Sequence, residues 1–434
     1  MTDIRSLVFA LLGTFVLRCA SYGAGIIIPV FLGLKSRHDV GVTLEGVGLV
    51  AGSFYAAELL GAPVFGALSD RYGRKLFMVL GPVFGGVAIQ MLGFTSILPV
   101  LVAVRVLEGL STASSAPSTL GFLSALTGRS ERLRSRVMGF YQAATVVGLA
   151  SGAAVGGQLY EHLKAPWVFT AVAGIYVVAL LLFLPVRDTG APAGAVHGLG
   201  GRSHSPRAIL ARMLNPRIMR FAPAWLAANA VIGAWFSFGP FLASGVPNPN
   251  QFFMGGYGAG QIGTAFMVFG IVFTLGAITW GFVMPRIGRQ ATLLTGVVGL
   301  AGATVMFWVT NQLPRQNHSV PMLVAFLGLL VVAVFVQSGF TPAALAYLAE
   351  IAEEHAEDRG AVMGVYSVLL SVGQLLGIAV AGPFAHRGGV NGLIVLTALL
   401  TGVAAATVLQ LGAAERRARS ARQVSQPAES GPGA

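Results

Sequence analysis

The chain has 434 residues, of which 55% are hydrophobic and 10% charged, whereas a soluble domain carries roughly 25% charged residues. That composition excludes an ordinary soluble globular protein. The formal charge of +12 sits mostly in short connections between apolar runs, which makes lipid headgroups, and not nucleic acid, the expected electrostatic partner.

Long continuous apolar runs predict membrane-crossing helices. A backbone group without a hydrogen bond is too costly in lipid, and a hydrocarbon core of about 30 Å takes about 20 helical residues to cross. Twelve spans are expected, at 7–33, 46–68, 76–94, 98–126, 137–158, 166–185, 222–245, 260–284, 291–310, 321–349, 361–384 and 391–412. The first run lacks a small-residue cleavage site and is expected to be retained as a span. Arg18 falls near the middle of span 1 and Glu58 near the middle of span 2, while Arg105 and Glu108 lie in span 4, roughly 10–15 Å from the outer surface. Cys19, the one cysteine, excludes an internal disulfide and is expected to be a packing residue.

Four parts follow: a six-helix half over 1–185, a linker over 186–221, a second six-helix half over 222–412, and a disordered tail over 413–434. Within the linker, Ile209 to Met219 with its neighbouring arginines is expected as a short helix on the inner membrane face. Placing the amino terminus in the cytoplasm puts 21 of the 28 Lys and Arg residues on that side. Both termini are therefore expected to be cytoplasmic in a multi-pass cell-membrane protein.

The halves repeat one another. Pro117, Val137-Met138-Gly139, Tyr141, Gly148 and Gly152 return at an offset of 225 as Pro342, Val362-Met363-Gly364, Tyr366, Gly373 and Gly377. Gly66, Arg71, Gly73 and Arg74 return at an offset of 215 as Gly281, Arg286, Gly288 and Arg289.

The stretch Gly66 to Lys75, GALSDRYGRK, resembles the loop between helices 2 and 3 of the major facilitator superfamily, matching at Gly66, Asp70, Arg71, Gly73, Arg74 and Lys75. Arg105 to Gly109, RVLEG, resembles the family's R-x-x-Q-G element with Glu108 in place of Gln. The run from Gly148 through Gly152, Gly156 and Gly157 resembles the antiporter pattern G-x-x-x-G-P-x-x-G-G, with Ala153 in place of the proline. The resemblance implies an all-α membrane protein of two pseudo-symmetric six-helix halves, similar to the drug and metabolite:proton antiporter branch. It also implies that Asp70 latches the halves at the amino terminus of span 11, near Gly360 and Ala361, where unpaired N–H groups attract a carboxylate. Pro285 stands at the repeat position of Asp70, so such a latch is one-sided.

Ionisable groups at membrane depth are disfavoured by about 2.5–3.5 kcal/mol on insertion scales. Arg18, Glu58, Arg105 and Glu108 are therefore the functional candidates, and spans 7 to 12 have no charge at their centres. Glu58 is the expected proton carrier, because the charge of a buried carboxyl follows the position of a nearby cation such as Arg18 or Arg105. A static ion pair is the alternative. Glu108 lies three residues after Arg105, on the same helix face, and is expected to pair with it structurally. Arg18 either neutralises Glu58 or seats a carboxylate or phosphate of the substrate. Arg18, Tyr22, Tyr55, Tyr141, Gln142, Asn229, Trp235, Phe236, Gln337, Tyr366 and Gln374 are the candidates to line a central cavity. The glycines at 148, 152, 156, 157, 373 and 377 are expected to let helix 5 approach helix 8 and helix 11 approach helix 2.

The expected function is export of a small hydrophobic or weakly anionic solute, driven by protons, by a monomer in the bilayer. Proton-coupled uptake, facilitated diffusion and a receptor on the same scaffold are the alternatives. No cofactor, metal site or catalytic constellation is expected, so an enzyme is disfavoured.

Overall fold

The computed structural model describes residues 4–37, 43–93, 97–127, 131–163, 165–187, 216–314, 319–353 and 359–425. All the regular structure in them is helical: α1 Ile4–Lys35, α2 Leu44–Tyr72, α3 Arg74–Met91, α4 Leu98–Leu126, α5 Glu131–His162, α6 Trp167–Phe183, α7 Pro216–Ser244, α8 Ala259–Ile287, α9 Arg289–Asn311, α10 Val320–Gln337, α11 Phe340–Glu353, α12 Arg359–Gly388 and α13 Val390–Ser425. Ten segments are long and apolar enough to cross a membrane. The other two predicted spans are α3 and α6, of 18 and 17 residues.

Most helices run a few residues beyond the expected spans, α5 to Glu131–His162 for example, and three further differences concern the tenth span, the seventh and the tail. The tenth span is split into α10 and α11, because Pro342 has no N–H to give the Ser338 carbonyl and the Ser338 hydroxyl donates back to the Phe335 carbonyl at 2.7 Å. Gly339 occupies the break, where an added Cβ would lie 2.8 Å from the Trp280 ring. The seventh span is already helical at Pro216, where the described residues resume. Pro216 to Met219 thus belong to α7, and the rest of the expected surface helix, 209–215, lies outside the described residues, as does the linker from 188. The region expected as a disordered tail continues α13 to Ser425, its Ala, Glu, Arg and Gln residues being good helix formers. Residues 426–434 lie outside the described residues.

Twelve passes put both ends of the chain at one face of the bundle, the termini end, with the opposite face here called the far end. The halves meet along α1 with α7, α2 with α12 and α5 with α8. The last two pairings were expected, but the glycines thought to make them face elsewhere. A Cβ at Gly148 would lie 2.7 Å from the Phe15 carbonyl and 2.8 Å from the Arg18 Cβ, one at Gly152 would run into the Cys19 carbonyl, and one at Gly156 would lie 2.6 Å from Gly23. These three lay α5 on α1. Gly373 and Gly377 do the same for α12 on α7, against Leu226, Asn229 and Ala230. The repeat therefore serves packing inside each half, and of the six glycines Gly157 faces the other half, against Ala259 and Gly263 of α8.

The α5–α8 seam widens toward the termini end. At the far end Gly157 and Gly263 are in contact with the facing backbone; midway a Cβ at Gly270 would meet Ala150 at 3.4 Å; further on, at Gly139 and Gly281, it would meet nothing within 4 Å. Among the described residues, side-chain hydrogen bonds that join the halves lie at the far end as well: Arg37 to Ser244 and Gly245, Ser244 to Val30, and Gly260 to Glu161. The bundle is closed at the far end and opens toward the termini.

Candidate functional site

A cavity of about 370 Å³ lies between the halves, lined from α1, α2, α4, α5, α7, α8, α11 and α12. Its first-half wall carries Arg18, Ser21, Tyr22, Tyr55, Glu58 and Arg105. Close packing sets Glu58 in place: a Cβ at Gly109 of α4 would run into the Phe54 carbonyl and lie 3.2 Å from the Glu58 backbone nitrogen. The glycine of the RVLEG element thus brings α4 against α2 one residue from the cavity carboxylate.

The four membrane-depth charges form two sets. Arg105 donates to Glu108 at 2.6 Å, and both are buried, at 8% and 1% exposure. The Arg105 guanidinium also lies over the Phe54 ring, 4.6 Å from its centroid. Arg105 is thus held by Glu108 and by the Phe54 ring. Glu58, by contrast, is half-buried at the cavity wall, within electrostatic range of Arg18 and Arg105 and without an ion pair to either within 4 Å. Arg18 has Tyr22, Tyr141 and Glu58 as its electrostatic neighbours. A carboxylate near two cations, bonded to neither, can gain or lose a proton without breaking a contact.

The second-half wall is neutral. Trp225, Asn229, Ile232, Phe236 and Ser237 come from α7, Phe269, Phe273 and Thr274 from α8, Thr341 from α11, and Leu370 and Gln374 from α12. The Asn229 amide donates to the Trp225 carbonyl at 2.8 Å, one turn back on the same helix. Phe236 meets Phe266 edge-on at 5.1 Å and Phe269 at 6.1 Å between centroids, giving an aromatic wall opposite the charges.

Of the candidates from sequence, Arg18, Tyr22, Tyr55, Glu58, Arg105, Asn229, Phe236 and Gln374 line this cavity. Glu108 stands behind Arg105. Tyr141 is buried next to Arg18, and Gln142 is exposed. Trp235 points into its own half, where its indole donates to Thr397 at 2.8 Å and packs on Phe307 in a tilted arrangement, 4.8 Å between centroids. Gln337 lines a separate pocket of about 30 Å³ inside the second half. The Tyr366 side chain lies outside the described residues. Sequence reasoning missed Trp225, although Trp225, Asn229, Ile232 and Phe236 recur at helical spacing on one face of α7. It also missed Phe269 and Phe273, stacked at 5.7 Å one turn apart.

At the termini end Asp70 is 57% exposed by its side chain and accepts from Arg74 at 2.9 Å. Arg74 also donates to the Gly121 carbonyl of α4 at 2.6 Å. The partners of Asp70 and Arg74 in this structure thus lie within the first half, and the side chains at the start of α12 expected to meet Asp70 lie outside the described residues. In the second half, where Pro285 replaces the acid, Glu350 of α11 pairs with Arg217 at 3.0 Å and with Arg289.

The family model of the Major Facilitator Superfamily matches residues 10–265 and 248–431. Multidrug resistance protein 1 of Bacillus subtilis is 29% identical over 170 residues, which is 39% of this chain and 42% of that protein. Quinolone resistance protein NorA of Staphylococcus aureus is 26% identical over 164 residues, 37% of this chain and 41% of its own length. These matches span about two fifths of each relative. A triacylglyceride transporter of Mycolicibacterium smegmatis is 26% identical over 412 residues, 82% of this chain and 72% of that protein. Among solved structures, the nucleoside transporter NupG superimposes with a TM-score of 0.72 at 14% identity, over 94% of this chain and 98% of that one. A bacterial homologue of the lysosomal transporter Spinster, inward-facing and unoccupied, gives 0.66 at 16% identity, over 94% and 95%.

Proposed function

The chain belongs to the Major Facilitator Superfamily and is a secondary transporter, and on that premise we propose that it exports a small hydrophobic or weakly anionic solute in exchange for protons. The carrying observation is the unpaired state of Glu58 at the wall of the cavity between the halves. A proton on Glu58 removes the charge that Arg18 and Arg105 attract; its loss restores that attraction. Since Arg105 is already held by Glu108 and Phe54, Arg18 is the mobile partner. Movement of Arg18 toward Glu58 releases the proton and frees the Arg18 side of the cavity for solute.

The charged wall and the facing aromatic wall suit a solute with an apolar body and a polar or anionic end. The drug-resistance relatives favour export. In this reading the chain works as a monomer in the cell membrane with both termini in the cytoplasm, so the open end faces inward. Asp70 then closes that end in the other half of the cycle by reaching the amino terminus of α12.

Purified protein in vesicles with an internal pH dye, challenged with a panel of amphipathic solutes, tests this. A solute should trigger a pH change in the direction of exchange, and Glu58→Gln should reduce it to the level of empty vesicles. A pH change of the opposite sign would make the protein a symporter. Coupled flux that survives Glu58→Gln would remove Glu58 as the carrier.

A further inference from the structure

The connection from α7 to α8 is gripped at both of its helix ends by side chains of the other half. Arg37, just past the far end of α1, donates through Nε to the carbonyls of Ser244 and Gly245 at 2.8 and 3.1 Å. These are the last carbonyl of α7 and the one just beyond it. Glu161, at the far end of α5, accepts from the Gly260 N–H at 2.6 Å, in the first turn of α8. The charges match the ends they hold, a cation on a helix carboxyl terminus and an anion on an amino terminus.

The gripped connection is itself rigid. The Asn311 backbone and side chain accept from Phe252 and Phe253 at 2.9 Å each. Gln251 donates to the Gly388 carbonyl at 3.0 Å and accepts from Asn391 N–H at 3.1 Å, while Asn311 donates to Asn391 at 2.9 Å. The stretch between α7 and α8 is thus tied to α9, α12 and α13. A pull exerted by Arg37 and Glu161 therefore acts on the second half as a body and is not absorbed by a yielding loop.

We propose that Arg37 and Glu161 are a paired far-end latch, positioning residues that hold the transporter closed on that side and must let go before the cavity can open there. The inference rests on the reading of the chain as an alternating-access transporter. It extends that reading to the far end with residues that touch neither cavity nor solute. Holding both ends of one connection makes release cooperative, since tilting the second half away draws both helix termini off their charges together.

Full-length protein in lipid nanodiscs, with Cys19→Ala and spin labels at Glu45 and Asn250 on opposite halves of the far end, gives the test. Wild type should show a dominant short distance. In the charge swap Arg37→Glu with Glu161→Arg, each side chain meets a helix end of its own sign, and the population at longer distance should rise about three- to thirtyfold. The isosteric Glu161→Gln should raise it by less, and Arg37→Gln likewise. Should the swap fail to fold, the two single variants decide alone. Distance distributions identical to wild type in the foldable variants would overturn the latch. Since the distances are read without solute or proton gradient, that result would be distinct from a failure of proton coupling in the vesicle assay.

Discussion

The two halves share a packing scheme and differ in chemistry. In each, a pair of glycines four residues apart seats the fifth helix on the first: Gly148 and Gly152 against α1, Gly373 and Gly377 against α7. Yet Arg18, Glu58, Arg105 and Glu108 all belong to the first half, while the cavity wall of the second is aromatic, amide and hydroxyl. Positions where backbones touch tolerate no side chain, so duplication leaves them alike. Positions that face the cavity carry no such restriction. One wall can therefore specialise in charge and the other in shape.

Breaking the charged set has the largest expected consequence. Glu108→Gln leaves Arg105 buried without its counter-ion, and loss of one member of a buried pair is destabilising by about 3–5 kcal/mol. A large drop in thermal unfolding temperature in detergent is expected, against a small change for Glu58→Gln. Equal drops would mean that Glu58 is as structural as Glu108. On the neutral wall, Phe236→Ala removes aromatic surface worth about 1.5–3 kcal/mol when buried. It should raise the apparent KM for an apolar solute about tenfold or more while leaving the ratio of protons to solute unchanged. A changed ratio would show that coupling extends into the second half. Smallest in stability terms is Asp70→Asn: the exposed pair with Arg74 is worth only about 0.2–0.5 kcal/mol. Unfolding should scarcely move, while cysteine accessibility in the crevice should shift further toward the termini end. Unchanged accessibility would deny Asp70 a role in closing that end.

Sequence showed most of the bundle, because span length is set by the bilayer and the repeat by backbone contact. It did not show which neighbour each glycine meets. A stripe of small residues says that some helix comes close, and both a partner in the same half and one across the seam satisfy it. The charged part of the cavity was legible for a related reason: ions at membrane depth are so disfavoured that the few present mark themselves. Aromatics give no such mark. Trp235 was expected at the cavity and instead donates to Thr397 inside its own half, whereas Trp225 carries the same side chain on the cavity face of α7. Arg37 and Glu161 could not be singled out, since their partners are main-chain groups that any sequence supplies.

Of the six helices along the seam, α1, α2, α7, α8 and α12 each contain an internal proline, and α5 contains none. Ala153, which keeps the amide hydrogen a proline would lack, stands about two thirds of the way along it. Over 32 residues α5 is a proline-free helix about 48 Å long at ~1.5 Å per residue. Its points of least stiffness are instead the small-residue pairs Ser151-Gly152 and Gly156-Gly157, where the Ser151 hydroxyl donates back to the Val147 carbonyl at 2.7 Å. Where the halves rock as bodies α5 is carried along as a lever, so a tilt that draws Glu161 one way swings Gly139 the other.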